Sequence, residues 1–219
     1  DKKDLDYTII GTPGFDLWDE MLSAFFSINF LDLNLEIYVD IASDDSRANF
    51  VDLRAHWDHA LAYQLGFKKT EKLKNYEIFY GIEYTTTRIS NTFNPGFYRG
   101  SPYQNNFYSK STFDYFTYRN RLMGAHSGSN SDDLIYLISA KDKNNMVSFS
   151  FNRERHGIKS MDYPELKSEI ILTYQRNIFN NHFLFLIYEH EKIFNFSFRN
   201  EMLSIGNLFW FGYSFVFKK

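Results

Sequence analysis

Aromatic and arginine side chains are concentrated in one stretch of the chain, from Ser90 to Arg121. The stretch carries three arginines and many phenylalanine and tyrosine residues, while Asp114 is its only acid. Aromatic faces stack on flat ring surfaces, and the planar guanidinium of arginine binds carboxylates and hydroxyls through paired hydrogen bonds. This combination suits a sugar, and the local positive charge suits an anionic polysaccharide. The alternative is that these aromatic side chains pack the stretch against the rest of the fold.

A second candidate for chemistry is His126, which is followed closely by Ser127, Ser129 and Ser131. A histidine beside a serine is typical of acyl hydrolases, in which the imidazole activates the hydroxyl. The chain has no G-x-S-x-G nucleophile elbow, however, and the neighbouring glycines indicate a turn. We therefore predict that the protein is not an enzyme and keep a hydrolase as an alternative hypothesis.

His56 and His59 have a spacing that could bring two imidazoles together on one helical turn. Asp58 lies between the two histidines, but a metal site also needs a third ligand, and the sequence does not identify one. We predict no metal site and no cofactor.

The overall composition narrows the class of protein. The net charge of -3 and the pI near 6.1 give no reason to expect a nucleic-acid partner. Aromatic residues make up 20% of the chain, yet the mean hydropathy is -0.41 and no apolar run is long enough for a membrane-spanning helix. A transmembrane β-barrel reconciles the two, because only every second residue of each strand must be apolar.

Alternation of apolar and polar residues is the main structural signal. Tyr76 to Thr85 alternates an apolar face with an acidic or small one, and Leu208 to Phe217 has one face that is wholly aromatic. The second segment is predicted to form a hairpin with a strand around Phe194 to Arg199, through a turn at Gly206 and Asn207. Further strands are predicted at about 21–31, 34–42, 60–70, 132–141, 145–155, 166–177 and 182–191.

The predicted connections alternate in length. Leu31 to Asn34, Lys141 to Asn145 and Asn177 to Asn181 are tight turns, as at the periplasmic end of an outer-membrane barrel. The long connections, at about 43–58, 90–120 and 156–165, correspond to external loops.

The predicted fold class is therefore all-β: an antiparallel transmembrane outer-membrane β-barrel, with roughly ten strands of a larger barrel. We expect residues 1–219 to be a single domain, the C-terminal portion of that barrel. A soluble β-sandwich or β-rich lectin domain is the structural alternative, although the inward faces of a sandwich would be more aliphatic. Glutamates and arginines at alternating strand positions could face one another as a charge network in the barrel interior, although we favour the alternative that they only solvate this interior: Glu77, Glu83, Glu169, Glu189, Glu191, Arg153, Arg155, Arg176 and Arg199.

Five segments of the chain resemble a known protein family: Gly11 to Glu20, Leu35 to Asp40, His59 to Phe67, Tyr98 to Gly100 and Leu122 to Asp133. In these segments the chain is similar to the Wzi-type capsule assembly proteins of the outer membrane. The resemblance runs through most of the chain. It implies a lectin-like barrel in the bacterial outer membrane that binds extracellular capsular polysaccharide and helps to attach or assemble the capsule at the cell surface.

The resemblance also implies partners and a longer parent chain. The family's chains carry more strands and a periplasmic helical portion before the segment resembled, so we expect this chain to begin partway through a longer protein. Expected partners are capsular polysaccharide, outer-membrane lipid and lipopolysaccharide, and the capsule export machinery. A barrel-embedded hydrolase of lipid or lipopolysaccharide and a passive outer-membrane pore remain alternatives. The candidate polysaccharide-binding residues are Tyr98, Arg99, Tyr103, Tyr108, Tyr118, Arg119 and Arg121.

Overall fold

A computed structural model describes residues 21–44, 61–88, 117–118, 121–122, 125–158, 161–179 and 182–216. Its strands are β1 (Met21–Phe30), β2 (Leu35–Asp44), β3 (Leu61–Leu73), β4 (Tyr76–Thr86), β5 (Thr117–Tyr118), β6 (Arg121–Leu122), β7 (Asp132–Lys141), β8 (Asn145–His156), β9 (Glu165–Phe179), β10 (His182–Phe194) and β11 (Leu203–Phe215). Short 3-10 helices span Leu31–Leu33 and Phe196–Phe198. No helix in these described ranges is long and apolar enough to cross a membrane.

Nine of the strands form one antiparallel sheet. Its order is β1-β2-β3-β4-β7-β8-β9-β10-β11, so each strand pairs with the next one along the chain. The exception is β4, which pairs with β7, because β5 and β6 form a separate small hairpin. Within the described residues the sheet is open, with β1 and β11 at its two edges. The predicted all-β, antiparallel fold is confirmed, and the described residues contain nine long strands where roughly ten were predicted for the chain.

Short and long connections lie at opposite ends of this sheet. β1 and β2 are joined through Leu31–Leu33, β3 and β4 through Lys74 and Asn75, and β7 and β8 through 142–144. The connections after β2, β4, β8 and β10 are all longer and return at the other end. The predicted alternation of connection lengths is confirmed, and the end with the longer connections is called the long-loop end below.

The predicted turn at Gly206 and Asn207 is wrong. Both residues lie inside β11, where Gly206 pairs with Glu191 and Asn207 pairs with His190 of β10. The reversal occurs at 195–202, where four residues adopt positive φ: Asn195, Ser197, Phe198 and Glu201. A Gly-Asn pair is a good local turn signal, but thirteen residues of cross-strand pairing from β10 fix these two in the strand.

One face of the sheet is apolar and exposed. Residues paired directly across neighbouring strands share a face, so the pairings connect a continuous apolar surface across β2 to β11. Its members are more than a third exposed: Ile37, Ile41, Leu65, Ile82, Tyr84, Leu134, Tyr136, Val147, Leu172, Tyr174, Leu186, Ile205, Phe209, Phe211 and Tyr213. We call this surface the outer face.

The opposite face, here the inner face, is polar and more buried. Among the described residues the only buried hydrophobic side chains are those of Tyr38 and Ala62. The buried polar residues are Thr87, Ser127, Asn130, Ser131, Asp132, Asp133 and Glu154. Burial is thus reversed relative to a soluble domain, in which apolar side chains are the buried ones.

The charge network of glutamates and arginines considered for the barrel interior is wrong for the arginines. Glu83, Glu169 and Glu191 lie on the inner face, because they belong to one row of directly paired residues that crosses the sheet. In this row Asn152 pairs with Glu169, and Glu169 pairs with Glu191. Three arginines alternate with the inward-facing residues of their strands and therefore lie on the outer side of the sheet: Arg153, Arg155 and Arg176. Arg199 follows the 3-10 helix outside the strands.

Candidate functional site

A polar turn closes the inner face at the long-loop end. Residues 125–131 lead into β7, and Gly128 adopts φ 77, a conformation that a side chain would disfavour. Thr87 anchors the turn: its amide donates to the Ser131 carbonyl at 2.9 Å, and its hydroxyl donates to the Gly128 carbonyl at 2.6 Å. His156 on β8 lies 3.0 Å from the Ser127 carbonyl through Nδ1. The turn is therefore fixed against the ends of β4, β7 and β8.

Two serines of this turn, Ser127 and Ser131, have structural partners. Their hydroxyls are 3.0 Å apart, and Ser131 Oγ also lies 3.0 Å from the Thr87 hydroxyl. Both serines are buried, whereas the His126 side chain is 55% exposed and directs Nε2 at two carboxylates. Ser127 and Ser131 therefore do not form the serine–histidine pair that a hydrolase requires.

Two buried carboxylates meet His126. Its Nε2 is 3.3 Å from Oδ2 of Asp133 and 3.4 Å from Oε1 of Glu154, and these two side chains are only 2% and 5% exposed. Asp133 and Glu154 are directly paired residues on β7 and β8, so the sheet register places them side by side. We call His126, Asp133, Glu154, His156 and Lys167 the rim cluster.

Glu154 is the centre of the rim cluster. His156 Nε2 lies 2.9 Å from its Oε2, while the Asn152 amide donates to its Oε1 at 2.7 Å. Lys167, its partner on β9, places Nζ 3.2 Å from the same Oε1. One carboxylate thus joins side chains from β8, from β9 and from the turn.

On the inner face, the positive charge next to the glutamates belongs to Lys167 and not to an arginine. Besides Glu154, its Nζ lies 3.4 Å from Glu169 and 3.4 Å from Glu191. The inner face therefore has a glutamate network around one lysine.

The pKa of the His126 imidazole is shifted by the carboxylates around it. The hydrogen bond with Glu154, together with the charge of Asp133, raises the pKa of His126 above its ordinary value, even though partial burial opposes the charged form. His126 therefore retains a proton to higher pH than an isolated histidine.

A cleft of about 460 Å³ opens beside the rim cluster. Its lining includes carboxylates, an amide and hydroxyls at inward positions of β2, β3 and β4, groups that can bind sugar hydroxyls. One oxygen of Asp40 is buried there with no hydrogen-bond partner among the described residues. The lining residues are Ser23, Asp40, Ala42, Ala62, Tyr63, Gln64, Glu83, Thr85, Thr87, Ala125 and His126.

Tyr38 and Gly66 shape the inner face next to the cleft. The Tyr38 ring lies across Gly66, where any Cβ would collide with it, and its hydroxyl donates to Glu83 on the far side. Lys68 Nζ lies 4.5 Å from the centre of the same ring, a cation–π contact. A glycine at position 66 is thus required by a close approach.

Most of the predicted polysaccharide-binding residues lie outside the described residues: Tyr98, Arg99, Tyr103, Tyr108 and Arg119. Tyr118 and Arg121 are described as backbone, and they pair across the β5-β6 hairpin. His56 and His59 also lie outside the described ranges. The predicted loop site therefore stays a prediction.

The rim cluster was not predicted as a group. The sequence singled out His126 for a different chemistry, that of a hydrolase, and it did not single out Glu154. The signal that could have identified the group is the inward phase of β7 and β8 combined with their register, which pairs Asp133 with Glu154.

Comparison with known proteins places this sheet among solved barrels. A scan against protein-family models found no match, and a search of curated proteins found none either. Among solved structures, the chain is similar to Wzi from Escherichia coli, described as an outer-membrane protein involved in group 1 capsule assembly and a carbohydrate-binding β-barrel. The two superpose with a TM-score of 0.61 at 12% sequence identity. The fold resembles that of Wzi.

The similarity covers 89% of this chain and 42% of the Wzi chain. This chain therefore spans less than half the length of Wzi. The open nine-stranded sheet thus has a Wzi-like β-barrel fold and matches part of that barrel in extent.

Proposed function

We propose that this chain is part of an outer-membrane β-barrel that binds capsular or other extracellular polysaccharide and helps to attach or assemble the capsule at the cell surface. The proposed protein is lectin-like and not an enzyme. The observation that carries the membrane part is the reversal of burial: apolar side chains cover the exposed outer face, and charged ones are packed on the inner face. Such an arrangement is stable when the outer face contacts lipid.

The two edges of the sheet support a larger barrel. On β1, Phe25 and Phe26 point to opposite faces and are 58% and 61% exposed; on β11, Trp210 and Phe211 are 57% and 68% exposed. We propose that residues 1–219 form one domain and that strands outside the described residues pair with these edges, because an exposed apolar edge invites pairing.

Polysaccharide binding is supported by the Wzi-like fold together with the chemistry of the residue types at the long-loop end. The stretch from Ser90 to Arg121 leaves the sheet after β4 and returns before β7, so it is attached beside the cleft. The inner face is acidic around Glu83, Glu169 and Glu191, which repels an anionic sugar. We therefore assign an anionic polysaccharide to the arginines and tyrosines of the connection and not to the inner face.

Capsule retention tests this assignment. Cells producing the full-length protein with Arg99, Arg119 and Arg121 all changed to Ala are expected to insert the barrel normally and to shed polysaccharide into the medium. A matched control removes three exposed lysines from the short-turn end instead: Lys72, Lys74 and Lys143. That variant has the same change in charge and is expected to retain the capsule.

Membrane fractionation distinguishes the outcomes. If the arginine variant reaches the outer membrane and still retains its capsule, the assigned binding residues are wrong. If both triple variants shed the capsule equally, net charge is responsible and the site is not specific. Accumulation of the unmodified protein in a soluble fraction would overturn the membrane assignment itself.

A further inference from the structure

Three potential metal ligands converge at the rim cluster. His126 Nε2, a carboxylate oxygen of Asp133 and one of Glu154 all lie within 4.8 Å of one another. The hydrogen bonds of Thr87 and His156 hold the turn that carries His126, and the register of β7 and β8 places Asp133 beside Glu154.

The spacings of these ligand atoms match those expected around one metal ion, and they are long for direct hydrogen bonds. Zinc binds nitrogen and oxygen ligands at about 2.0–2.2 Å, so two ligands of a tetrahedral ion are about 3.3–3.6 Å apart. The His126 nitrogen is 3.3 Å from Asp133 and 3.4 Å from Glu154. Good N–H···O hydrogen bonds are shorter, at about 2.7–3.2 Å.

Two buried oxygens next to these ligands have no hydrogen-bond partner in the part of the chain that the structure describes. One is Oδ1 of Asp133, on a side chain that is only 2% exposed, and the other is Oδ1 of Asn152. Buried acceptors are costly when unpaired, and carboxylates are usually satisfied by donors or by a cation. A metal bound by both oxygens of Asp133 would satisfy the first.

We propose that His126, Asp133 and Glu154 bind a divalent transition-metal ion of the Zn²⁺ type at the rim of the cleft. A nitrogen ligand combined with carboxylates favours zinc-like ions, whereas Ca²⁺ and Mg²⁺ prefer all-oxygen sites. His126 also lines the cleft, so a fourth position on that side can accept water or a ligand hydroxyl. This inference does not depend on polysaccharide binding.

Lys167 competes with the ion for Glu154. Its Nζ lies 3.2 Å from the same oxygen that faces His126, but it also lies 3.4 Å from both Glu169 and Glu191. The lysine can therefore keep two carboxylate partners when the ion occupies Glu154. Lys167→Gln removes a repelling charge and is expected to strengthen metal binding.

Zinc titration of the full-length barrel in detergent, after treatment with a chelator, tests the proposal. Calorimetry should show one Zn²⁺ per chain in the unmodified protein and at least a tenfold weaker affinity in His126→Ala and in Asp133→Asn. His190→Ala removes an imidazole from β10 that hydrogen-bonds Asn207, away from the rim cluster, and should leave zinc affinity unchanged. CaCl₂ titrated in the same way should bind more weakly than ZnCl₂.

His126→Ala is the decisive variant, because this side chain is 55% exposed and its loss is not expected to unfold the barrel. Equal zinc affinity in the unmodified protein and in His126→Ala would overturn the proposal, as would no binding at all or a preference for Ca²⁺. If Asp133→Asn fails to fold, Lys167→Gln supplies the second measurement: weaker zinc binding in that variant would also contradict the proposal.

Discussion

The two faces of this sheet differ in the opposite sense from those of a soluble β-sandwich. On the outer face, Leu134 of β7 and Leu172 of β9 are 39% and 43% exposed. At inner positions near the long-loop end, Asp133 of β7 and Glu154 of β8 are almost completely buried among charged partners. The polar side is the closely packed one, and the apolar side is presented to its surroundings.

This difference indicates which solvent each face requires. Apolar side chains in water are unfavourable by roughly 25 cal/mol per Å², so a whole exposed face of them is stable only in contact with lipid or another apolar surface. Glutamates on a dry inner face would be prohibitively costly, but they are tolerated where water and cations reach them. In the proposed barrel, the sheet therefore separates an apolar medium from an aqueous one.

The largest expected effect comes from placing a charge on the outer face. Leu172→Arg puts a guanidinium at the middle of β9, facing outward, and should lower the free energy of unfolding from bilayers by about 2–4 kcal/mol. Thr173→Arg is the matched control, since it adds the same side chain one position away on the inner face. Denaturant titration in lipid vesicles measures both, and equal losses would remove the distinction between the faces.

Neutralising the centre of the rim cluster should have the next largest effect. Glu154→Gln keeps the side-chain volume but leaves His156 and Lys167 without their carboxylate, which we expect to cost about 1–3 kcal/mol. Glu77→Gln, at an exposed position of β4, should change stability by less than about 0.5 kcal/mol. A rim cluster that merely lies in open water would give the same small change for both variants.

A smaller loss is expected from Gly66→Ala. The added Cβ would collide with the Tyr38 ring and displace its hydroxyl from Glu83, at a cost of about 1 kcal/mol. Gly206→Ala on β11 is the control, because its nearest neighbours are 3.9 Å from the added carbon. If Gly206→Ala were the more destabilising of the two, the packing described for the inner face would be incorrect.

The smallest effect is expected at a turn that belongs to neither face. Asp142 accepts hydrogen bonds from the amides of Asn144 at 2.7 Å and Asn145 at 2.6 Å, and the first of these holds the pKa of Asp142 below its ordinary value. A pKa lowered by folding stabilises the folded state at neutral pH, and this contribution disappears as the pH falls through the folded-state pKa. Asp142→Ala should therefore lower stability slightly at pH 7.

The pH dependence of that difference gives the check. Unfolding of the unmodified protein and of Asp142→Ala should differ at pH 7 and converge in acid, and Lys143→Ala should show no such convergence. A difference that persists below the folded-state pKa would mean that the carboxylate is not the cause.

The sequence predicts local features of this sheet well. Alternation over Tyr76 to Thr85 corresponds closely to β4, and the predicted strand at 145–155 corresponds to β8. These signals are local, because the side-chain period of a strand depends only on its own residues. The pattern of short and long connections follows from turn chemistry in the same way.

What the sequence could not predict depends on register. The Gly206-Asn207 turn was wrong because pairing with β10 outweighs a local turn signal. The arginines were assigned to the wrong face because a one-residue shift in phase exchanges inner and outer positions. The meeting of His126, Asp133 and Glu154 likewise requires the β7-β8 register and the anchored turn, neither of which a single segment encodes.

The most direct test is a cysteine scan along β9. The chain contains no cysteine, so each residue from Glu169 to Tyr174 can be replaced singly and labelled without background. In bilayers, labels at 170, 172 and 174 should be quenched by lipid-attached quenchers, while those at 169, 171 and 173 should react with water-soluble reagents. Water accessibility at all six positions would contradict a membrane barrel.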